Sequence, residues 1–303
     1  MYRLSKDILD TVTYYDVFDY PLSVFEIWKH LLTLQEEEVR PSTYGEVYVA
    51  VRAEVSRGTL VWERGFVFLS GRQGLVTERI RREKLSAAKL RRMQRLALLL
   101  RCVPYVRFAG ATGSLSLKYG DLESDWDLFV VLRAGKIWTG RVILTGILFM
   151  LGKWRHGKKI RNRACLNYFV TDESLEIGTQ DLFSAHEYRF MIPLFAYTLF
   201  QKFELKNRWM ARFKPNFSLS EIRPFWCQER TLTALRVQRW LERIIDLFPV
   251  EAFLGRRQKA RIAHNPKTHW EGSYIEANDR MLIFLPRPRG PRVYEAFKQR
   301  LRV

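Results

Sequence analysis

The chain has 303 residues, of which 47% are apolar and 14% aromatic. This length and composition allow more than one domain with a buried core, and they exclude a disordered chain. The net charge of +19 predicts attraction to polyanions such as nucleic acid, anionic lipid headgroups or nucleotide phosphates. A basic, solvated surface without a dedicated partner is the alternative interpretation.

The first unit, residues 1–75, is predicted to contain three helices and a β-hairpin. Ser23 and Glu26 have the spacing of a capping box, which indicates where the second helix begins. The predicted elements are a first helix ending near Pro21, a second helix through Leu34, a third helix over residues 42–56, and strands over residues 59–62 and 66–69. Three helices followed by a hairpin are typical of a winged-helix domain.

Winged helices often read DNA with the third helix. Here that helix carries Glu46 and Glu54 against a single Arg52, so a protein-docking or structural role is favoured over base reading. Residues 76–103 are then predicted to form a basic connecting helix, with nine Lys or Arg between Arg79 and Arg101. This helix either contacts a phosphate backbone or presents a solvated face whose arginine stems pack on neighbouring residues.

A polar motif precedes a short apolar run in the centre of the chain. Gly113 and Ser114 are followed, after ten residues, by Asp125-Trp126-Asp127 and five apolar residues. If the apolar run is a buried strand, the two aspartates project from the same side, about 6 to 7 Å apart along it. Two such carboxylates favour a hard divalent cation between them, and glycine allows backbone amides to approach a ligand. The alternative is a turn and an Asp-rich loop that caps the strand.

This motif resembles the signature of the polymerase β-like nucleotidyltransferase superfamily. The resemblance implies that Gly113 and Ser114 bind the nucleotide phosphates, and that Asp125 and Asp127 hold Mg²⁺ or Mn²⁺. It also implies transfer of a nucleoside monophosphate from an NTP, with ATP as the expected donor, to an acceptor hydroxyl with release of pyrophosphate. Residues 104–180 would form the nucleotidyltransferase core.

One position departs from the superfamily pattern. A third acid usually stands on a neighbouring strand, but the strand predicted over residues 164–171 has Asn167 at the matching position. An amide oxygen can bind Mg²⁺ but cannot accept the proton of an attacking hydroxyl, so catalysis by Asn167 would be impaired. The substitutes are Asp172, Glu173, Glu123 or a base supplied by the substrate.

A basic segment, residues 153–163, lies just before this predicted strand. Lys158 and Lys159 within it are predicted to grip the triphosphate or a polyanionic acceptor, because cations neutralise charge on transferring phosphates. The alternative is a flexible basic loop.

The C-terminal region, residues 181–303, is predicted to be mainly helical. The predicted elements are helices over residues 181–202, 227–248 and 292–301 and a strand pair over residues 274–285. Residues 256–270 are basic and carry no predicted element. In the second of these helices, Arg236, Arg239 and Arg243 line one flank. The predicted fold class is therefore α+β: a nucleotidyltransferase core with a mixed sheet, preceded by a winged helix-turn-helix and followed by this region.

The predicted function is metal-dependent nucleotidyl transfer to an acceptor that is a small molecule, a protein or a nucleic acid. The alternatives are a catalytically inactive nucleotide-binding protein and a winged-helix DNA-binding regulator, and the basic surface is the predicted nucleic-acid contact. The three cysteines, Cys102, Cys165 and Cys227, lack Cys-x-x-Cys spacing and predict neither a disulfide framework nor a zinc site. The N-terminus lacks a signal core and no apolar run is long enough to span a bilayer, so we expect a cytoplasmic protein without a transmembrane segment.

Overall fold

The structure is a computed structural model that describes residues 2–34, 40–216, 218, 224 and 227–302. The fold class is α+β, as predicted: helices surround a mixed six-stranded sheet, and a separate two-stranded sheet lies near the N-terminus. None of the helices in the described residues is long and apolar enough to cross a membrane.

The N-terminal unit consists of three helices and a hairpin. Its elements are α1 (Tyr2–Asp16), α2 (Val24–Lys29), α3 (Tyr44–Ser56), β1 (Leu60–Glu63) and β2 (Phe66–Leu69). The predicted capping box is confirmed, because Ser23 Oγ accepts from the Glu26 amide and the Glu26 carboxylate accepts from the Ser23 amide. The two strands pair antiparallel, in the register expected of a tight hairpin.

The second helix is shorter than predicted, because it ends at Lys29 and not at Leu34. The residues beyond it take backbone partners outside the helix. The Leu32 amide donates to Thr11 Oγ1 at 2.8 Å, and the Thr33 amide donates to the Phe213 carbonyl at 2.9 Å. Tertiary hydrogen bonds thus replace the helical ones at this end.

The basic connecting helix is α4 (Leu75–Leu100), and several of its cations are not merely solvated. Arg79 is buried, pairs with Glu26 at 2.8 Å and lies over the Tyr20 ring. The buried Lys89 donates to the carbonyls of Leu122 and Ser124, at 3.0 and 2.7 Å. The helix therefore connects the N-terminal unit to the loop that precedes the central strand.

The six-stranded sheet has the order β6-β3-β4-β5-β8-β7. Its strands are β3 (Val106–Ala111), β4 (Trp126–Leu132), β5 (Ala164–Thr171), β6 (Ile192–Pro193), β7 (Tyr274–Ala277) and β8 (Met281–Leu285). The central pair β4/β5 is parallel and every other pair is antiparallel. The short helix α5 (Gly113–Ser116) connects β3 to β4, and α6 (Ile137–Met150) is the crossover from β4 to β5.

The C-terminal region contributes strands to both edges of this sheet as well as helices. Its helices are α7 (Leu182–Arg189), α8 (Tyr197–Lys206), α9 (Leu232–Asp246), α10 (Val250–Ala263) and α11 (Gly290–Leu301), with 3₁₀ turns at Arg208–Arg212 and Pro266–His269. The single helix predicted over residues 181–202 is wrong: α7 and α8 are separated by β6, whose Pro193 cannot sit inside a helix.

The helix predicted over residues 227–248 begins later, at Leu232, where Thr231 caps it. Helix α10 was missed, since its many cations obscure the apolar positions. The predicted strand pair is confirmed, and the sequence did not indicate that β8 would extend the sheet beside β5. Residues 217, 219–223 and 225–226 lie outside the described residues.

The two faces of the sheet carry different helices because side chains alternate along β4. Trp126 and Leu128 pack toward α4 and α6, whereas Phe129 and Val131 pack toward α7 and α8. Asp127 has the same parity as Phe129, so its carboxylate lies on the α7 side.

Candidate functional site

The two predicted aspartates lie together. Asp127 is in β4, Asp125 just precedes that strand, and each offers a carboxylate oxygen within 4.8 Å of the other and of Cys165 Sγ. Cys165 belongs to this group because β5 runs parallel to β4 and pairs Cys165 with Asp127. The three side chains line a cavity of about 670 Å³.

Gly113 approaches Asp127 as closely as a residue without a side chain allows. Its φ is +67°, in the left-handed region, and a Cβ there would overlap Asp127 Oδ2. The Thr112 amide donates to the Asp127 carbonyl at 3.0 Å, which fixes the turn after β3 against β4. The predicted proximity of the Gly-Ser turn to the paired acids is therefore present for Gly113.

Ser114 lines a neighbouring cavity of about 510 Å³ and not the one lined by the aspartates. Gly113, Glu187 and Arg289 line both cavities, so the glycine stands at their boundary. The second cavity also contains Arg82 from α4, which brings a cation of the connecting helix to the serine side of the turn.

Asn167 is brought to the site as predicted. Its Nδ2 donates to Asp127 Oδ1 at 3.1 Å. Burial raises the pKa of Asp127, and the charges of Asp125 and Glu187 raise this pKa further. The cations Arg289 and Arg155 lower it. The amide thus compensates part of the charge on a carboxylate that is costly to ionise.

The other acids considered in place of the missing carboxylate do not line this cavity. Asp172 accepts from the Ala134 amide at 2.8 Å, and Asp172 and Glu173 line a different cavity. Glu123 is exposed and lies 3.7 Å from Arg161. Their separation from Asp127 leaves them without a direct role there.

Glu187 of α7 is a carboxylate of the site that the sequence did not reveal. Its Oε1 accepts from the Gly113 amide at 2.7 Å, and it lines the cavity beside Asp127. Burial raises its pKa, against the effects of the Gly113 N–H and of Arg289. No local pattern marks Glu187, because it is brought to the turn only by the packing of α7 on the sheet.

The basic segment contributes an arginine and not the predicted lysines. Arg155 lines the cavity, with its Nη1 2.5 Å from Asp125 Oδ2 and 3.2 Å from Cys165 Sγ. Lys158 and Lys159 are exposed at the tip of a hairpin closed by the His156–Lys159 bridge, and neither lines the cavity. The side chain of this segment that reaches the acids is Arg155, which the sequence did not single out.

The chemistry of the donor set favours a hard cation. Burial, followed by Asp127 and Asp125, raises the pKa of Cys165 to about 12, so the thiol stays protonated at neutral pH. A protonated thiol is a poor metal ligand, which leaves the two carboxylates as the donors. Carboxylate oxygens are the ligands that Mg²⁺ and Mn²⁺ prefer.

The C-terminal region also lines the cavity. Trp270, Tyr274 and Phe284 supply aromatic surface, and the proline-rich residues 286–291 supply Arg287 and Arg289. The Arg287 guanidinium lies 4.7 Å from the centroid of the Trp270 ring. The cavity therefore combines an acidic end with an aromatic and cationic wall, which suits a ligand with a planar ring and a polyanionic part.

Comparison with known proteins assigns no family. No protein-family model, no curated protein and no solved structure matches this chain.

Proposed function

We propose that this chain is a metal-dependent nucleotidyltransferase that transfers a nucleoside monophosphate from an NTP to an acceptor hydroxyl. The observation that carries the proposal is the convergence of the Asp125 and Asp127 carboxylates beside Gly113, at the end of a buried strand and inside a cavity. Acids solvated in a loop would not require a glycine against one of their oxygens.

The order of elements supports the same proposal. Helix α4, β3, α5, β4, α6 and β5 follow one another, with an antiparallel pair joined by the Gly-Ser turn and a parallel crossover pair. We interpret these elements as the nucleotidyltransferase core, because the Gly-Ser turn precedes β4 and Asn167 lies on the neighbouring strand β5. We interpret α1 to α3 and the β1/β2 hairpin as an attached winged helix.

Asp125 and Asp127 are the residues that would hold Mg²⁺ or Mn²⁺, and their donor set fits such an ion. A bound divalent ion would orient the NTP and neutralise charge on its phosphates. The cation would also favour the ionised form of Asp127, whose pKa is raised by burial.

Backbone amides and side chains around the Gly-Ser turn would bind the phosphates. Gly113 and Ser114 offer backbone amides and a hydroxyl, and Arg289 lies at the boundary of the two cavities where phosphates would extend. Arg155 neutralises Asp125 on the other side. A phosphate oxygen at Gly113 replaces the Glu187 carboxylate as acceptor of its N–H, so Glu187 has to turn away when the nucleotide binds.

Two further carboxylates line the cavity, Asp181 and Glu187. Asp181 caps α7 by accepting from the Ser184 amide, so Glu187, once released from Gly113, is the one available to an acceptor. Its raised pKa makes it a stronger base than an ordinary carboxylate, so it is suited to take the proton of the acceptor hydroxyl. The hydroxyl oxygen then attacks the α-phosphorus, the bond to the β-phosphate oxygen breaks, and pyrophosphate leaves. Glu187 thereby takes the role that Asn167 cannot perform.

The test is NTP binding with and without Mg²⁺, measured by equilibrium dialysis with labelled ATP and the other NTPs, followed by pyrophosphate release with candidate acceptors. The Asp125→Asn, Asp127→Asn variant keeps side-chain volume and is expected to lose Mg²⁺-dependent binding. The Glu123→Ala, Glu173→Ala variant removes two acids outside the cavity and is the matched control. Equal binding by the wild-type chain and the double Asn variant contradicts the proposal.

A second candidate is a nucleotide-binding protein without transfer activity, and Asn167 is the observation that favours it. It predicts Mg²⁺-dependent NTP binding with no pyrophosphate release for any acceptor. Glu187→Gln separates the two candidates, because it lowers turnover in an enzyme but leaves binding at least as tight in both.

A further inference from the structure

Helix α9 is amphipathic, and the side that carries Gln238 and Glu242 faces the protein. Gln238 donates to the Val103 and Val106 carbonyls, at 2.6 and 2.8 Å. Glu242 accepts from the Tyr105 amide at 2.7 Å. Hydrogen bonds from this side thus attach the helix to the start of β3. An amphipathic helix ordinarily packs on its protein with its apolar face instead.

The apolar side of α9 is consequently exposed. Val237, Trp240 and Ile244 recur at spacings of three and four residues, and Leu247 and Phe248 continue the same side into the turn before α10. Trp240 is 61% exposed and Leu247 is 77% exposed. We call these five residues the outer face of α9. Contiguous exposure of large apolar side chains is unusual on a protein surface and indicates an interaction site.

Arginines flank the outer face. Arg236, Arg239 and Arg243 lie along one margin of it and are exposed, and none has an ion pair with the described residues. The acids of the helix do not balance them, because Glu242 pairs with Arg107 and Asp246 pairs with Lys136. The exterior of α9 is therefore apolar and cationic.

We propose that the outer face of α9 docks on the surface of an anionic phospholipid bilayer. A tryptophan and large aliphatic side chains bordered by arginines are the composition of helices that lie in the plane of a membrane interface. Leu247 and Phe248 at the turn are placed to enter the acyl boundary while the arginines contact phosphate headgroups. The net charge of +19 attracts the whole chain to such a surface.

Charge complementarity distinguishes a bilayer from a second copy of the chain. Pairing two outer faces would bring the arginine margin of one copy near that of the other, while both acids of α9 are already paired within their own chain. An anionic surface offers the opposite charge along the whole margin. The proposal does not depend on nucleotidyl transfer, since none of these residues lines the cavity of the aspartates.

The experiment is co-sedimentation of the full chain with vesicles of phosphatidylcholine, with and without phosphatidylserine. We expect binding only with phosphatidylserine, and a fall in the partition coefficient as salt is raised. Arg236→Gln, Arg239→Gln, Arg243→Gln should lower the partition coefficient by roughly fivefold for each arginine. Trp240→Ser, Leu247→Ser should lower it by at least about tenfold.

Matched controls separate the outer face from general basic charge. Arg91→Gln, Arg92→Gln, Arg95→Gln removes three exposed arginines from α4 and should weaken binding far less than the α9 variant. Phe25→Ser, Val49→Ser removes exposed apolar side chains of the N-terminal unit and should leave vesicle binding unchanged. Circular dichroism and the thermal unfolding transition verify that each variant is folded.

Three outcomes overturn the proposal. The first is absence of binding to vesicles that contain phosphatidylserine at low salt. The second is equal loss of binding in the α4 and α9 arginine variants, which would assign the effect to net charge. The third has two parts. Sedimentation velocity detects a concentration-dependent dimer that Trp240→Ser, Leu247→Ser abolishes, and the same variant binds vesicles no more weakly than the wild-type chain. That result would assign the outer face to a second copy.

Discussion

Lys214 is buried without a carboxylate partner in the described part of the chain, and replacing it by methionine should stabilise the protein. Its side chain is fully buried, and Nζ has only long contacts, 3.3 Å to Tyr15 Oη and 3.4 Å to the His30 carbonyl. Burial, with a smaller contribution from Arg189, lowers the pKa of Lys214 from 10.5 to about 7. Methionine matches the length of the lysine stem and carries no charge.

The magnitude follows from that pKa. A fall from 10.5 to about 7 costs about 4 kcal/mol of folding free energy at pH 7, because each pKa unit is worth about 1.4 kcal/mol and half the amines are already neutral. Losing two long hydrogen bonds costs about 1 kcal/mol each. Lys214→Met should therefore raise the free energy of unfolding by about 2 kcal/mol at pH 7.

The pH dependence provides a second, independent quantity. Between pH 7 and 10.5 the unfolded lysine holds a proton that the folded one has lost, so the unfolded state binds more protons and stability rises with pH. From about pH 7 to about pH 9 the contribution of Lys214 should increase by about 2 kcal/mol. In Lys214→Met this part of the increase should vanish.

Urea denaturation at about pH 7 and about pH 9 measures both the stability gain and its pH dependence. Subtracting the variant's free energy of unfolding from that of the wild type cancels the contributions of the other titrating groups. Lys158→Met, at an exposed lysine, is the matched control and should change neither. If Lys214→Met is less stable than the wild-type chain at pH 7, or if its pH dependence equals that of the wild type, the assigned burial cost is refuted.

Three further predictions concern the candidate site. Gly113→Ala should abolish Mg²⁺-dependent NTP binding in calorimetric titrations, because the added Cβ displaces the Asp127 carboxylate. The control is Gly135→Ala, also at positive φ but with open space around it. It should lose only about 1 kcal/mol of stability to backbone strain and should bind NTP normally. The Cys165 thiol, whose pKa is raised to about 12, should react with iodoacetamide at pH 8 roughly 10³-fold more slowly in the folded than in the unfolded chain, as followed by mass spectrometry of its peptide. Asn167→Asp replaces a donor to Asp127 with a third charge, so it should lower the melting temperature without Mg²⁺ and enlarge the rise that Mg²⁺ produces; an unchanged response to Mg²⁺ would separate position 167 from the metal.

Local pattern was sufficient to predict the paired aspartates. Alternation along β4 puts Asp125 and Asp127 on one side, and the run of apolar residues after them marks the strand that carries them. The next strand, β5, has the predicted bounds for the same reason, since a buried strand in the middle of a sheet is a short continuous apolar run. These features depend on neighbours in sequence, which a single chain displays.

Long-range packing determined what the sequence did not reveal. Glu187 reaches Gly113 from α7, and Arg289 lines the same cavity just before α11. Neither residue stands in a recognisable pattern. The orientation of α9 was equally hidden. From the sequence, its apolar face is expected to pack on the core. In the structure, Gln238 and Glu242 hydrogen-bond to the backbone at the start of β3, so the apolar face points outward.

Asn167 and Glu187 together explain how the site balances its charge. A carboxylate at position 167 would place a third negative charge against Asp127, whose pKa is already raised by burial, Asp125 and Glu187. The Asn167 amide instead donates to Asp127, and the Glu187 carboxylate accepts a hydrogen bond from the Gly113 N–H. Asp125 is paired with the Arg155 cation. A metal ion alone gains little from such a site, whereas a metal-bound triphosphate both supplies the cation for Asp127 and replaces Glu187 at Gly113. Binding of metal and nucleotide should therefore be strongly coupled, with each weak in the absence of the other.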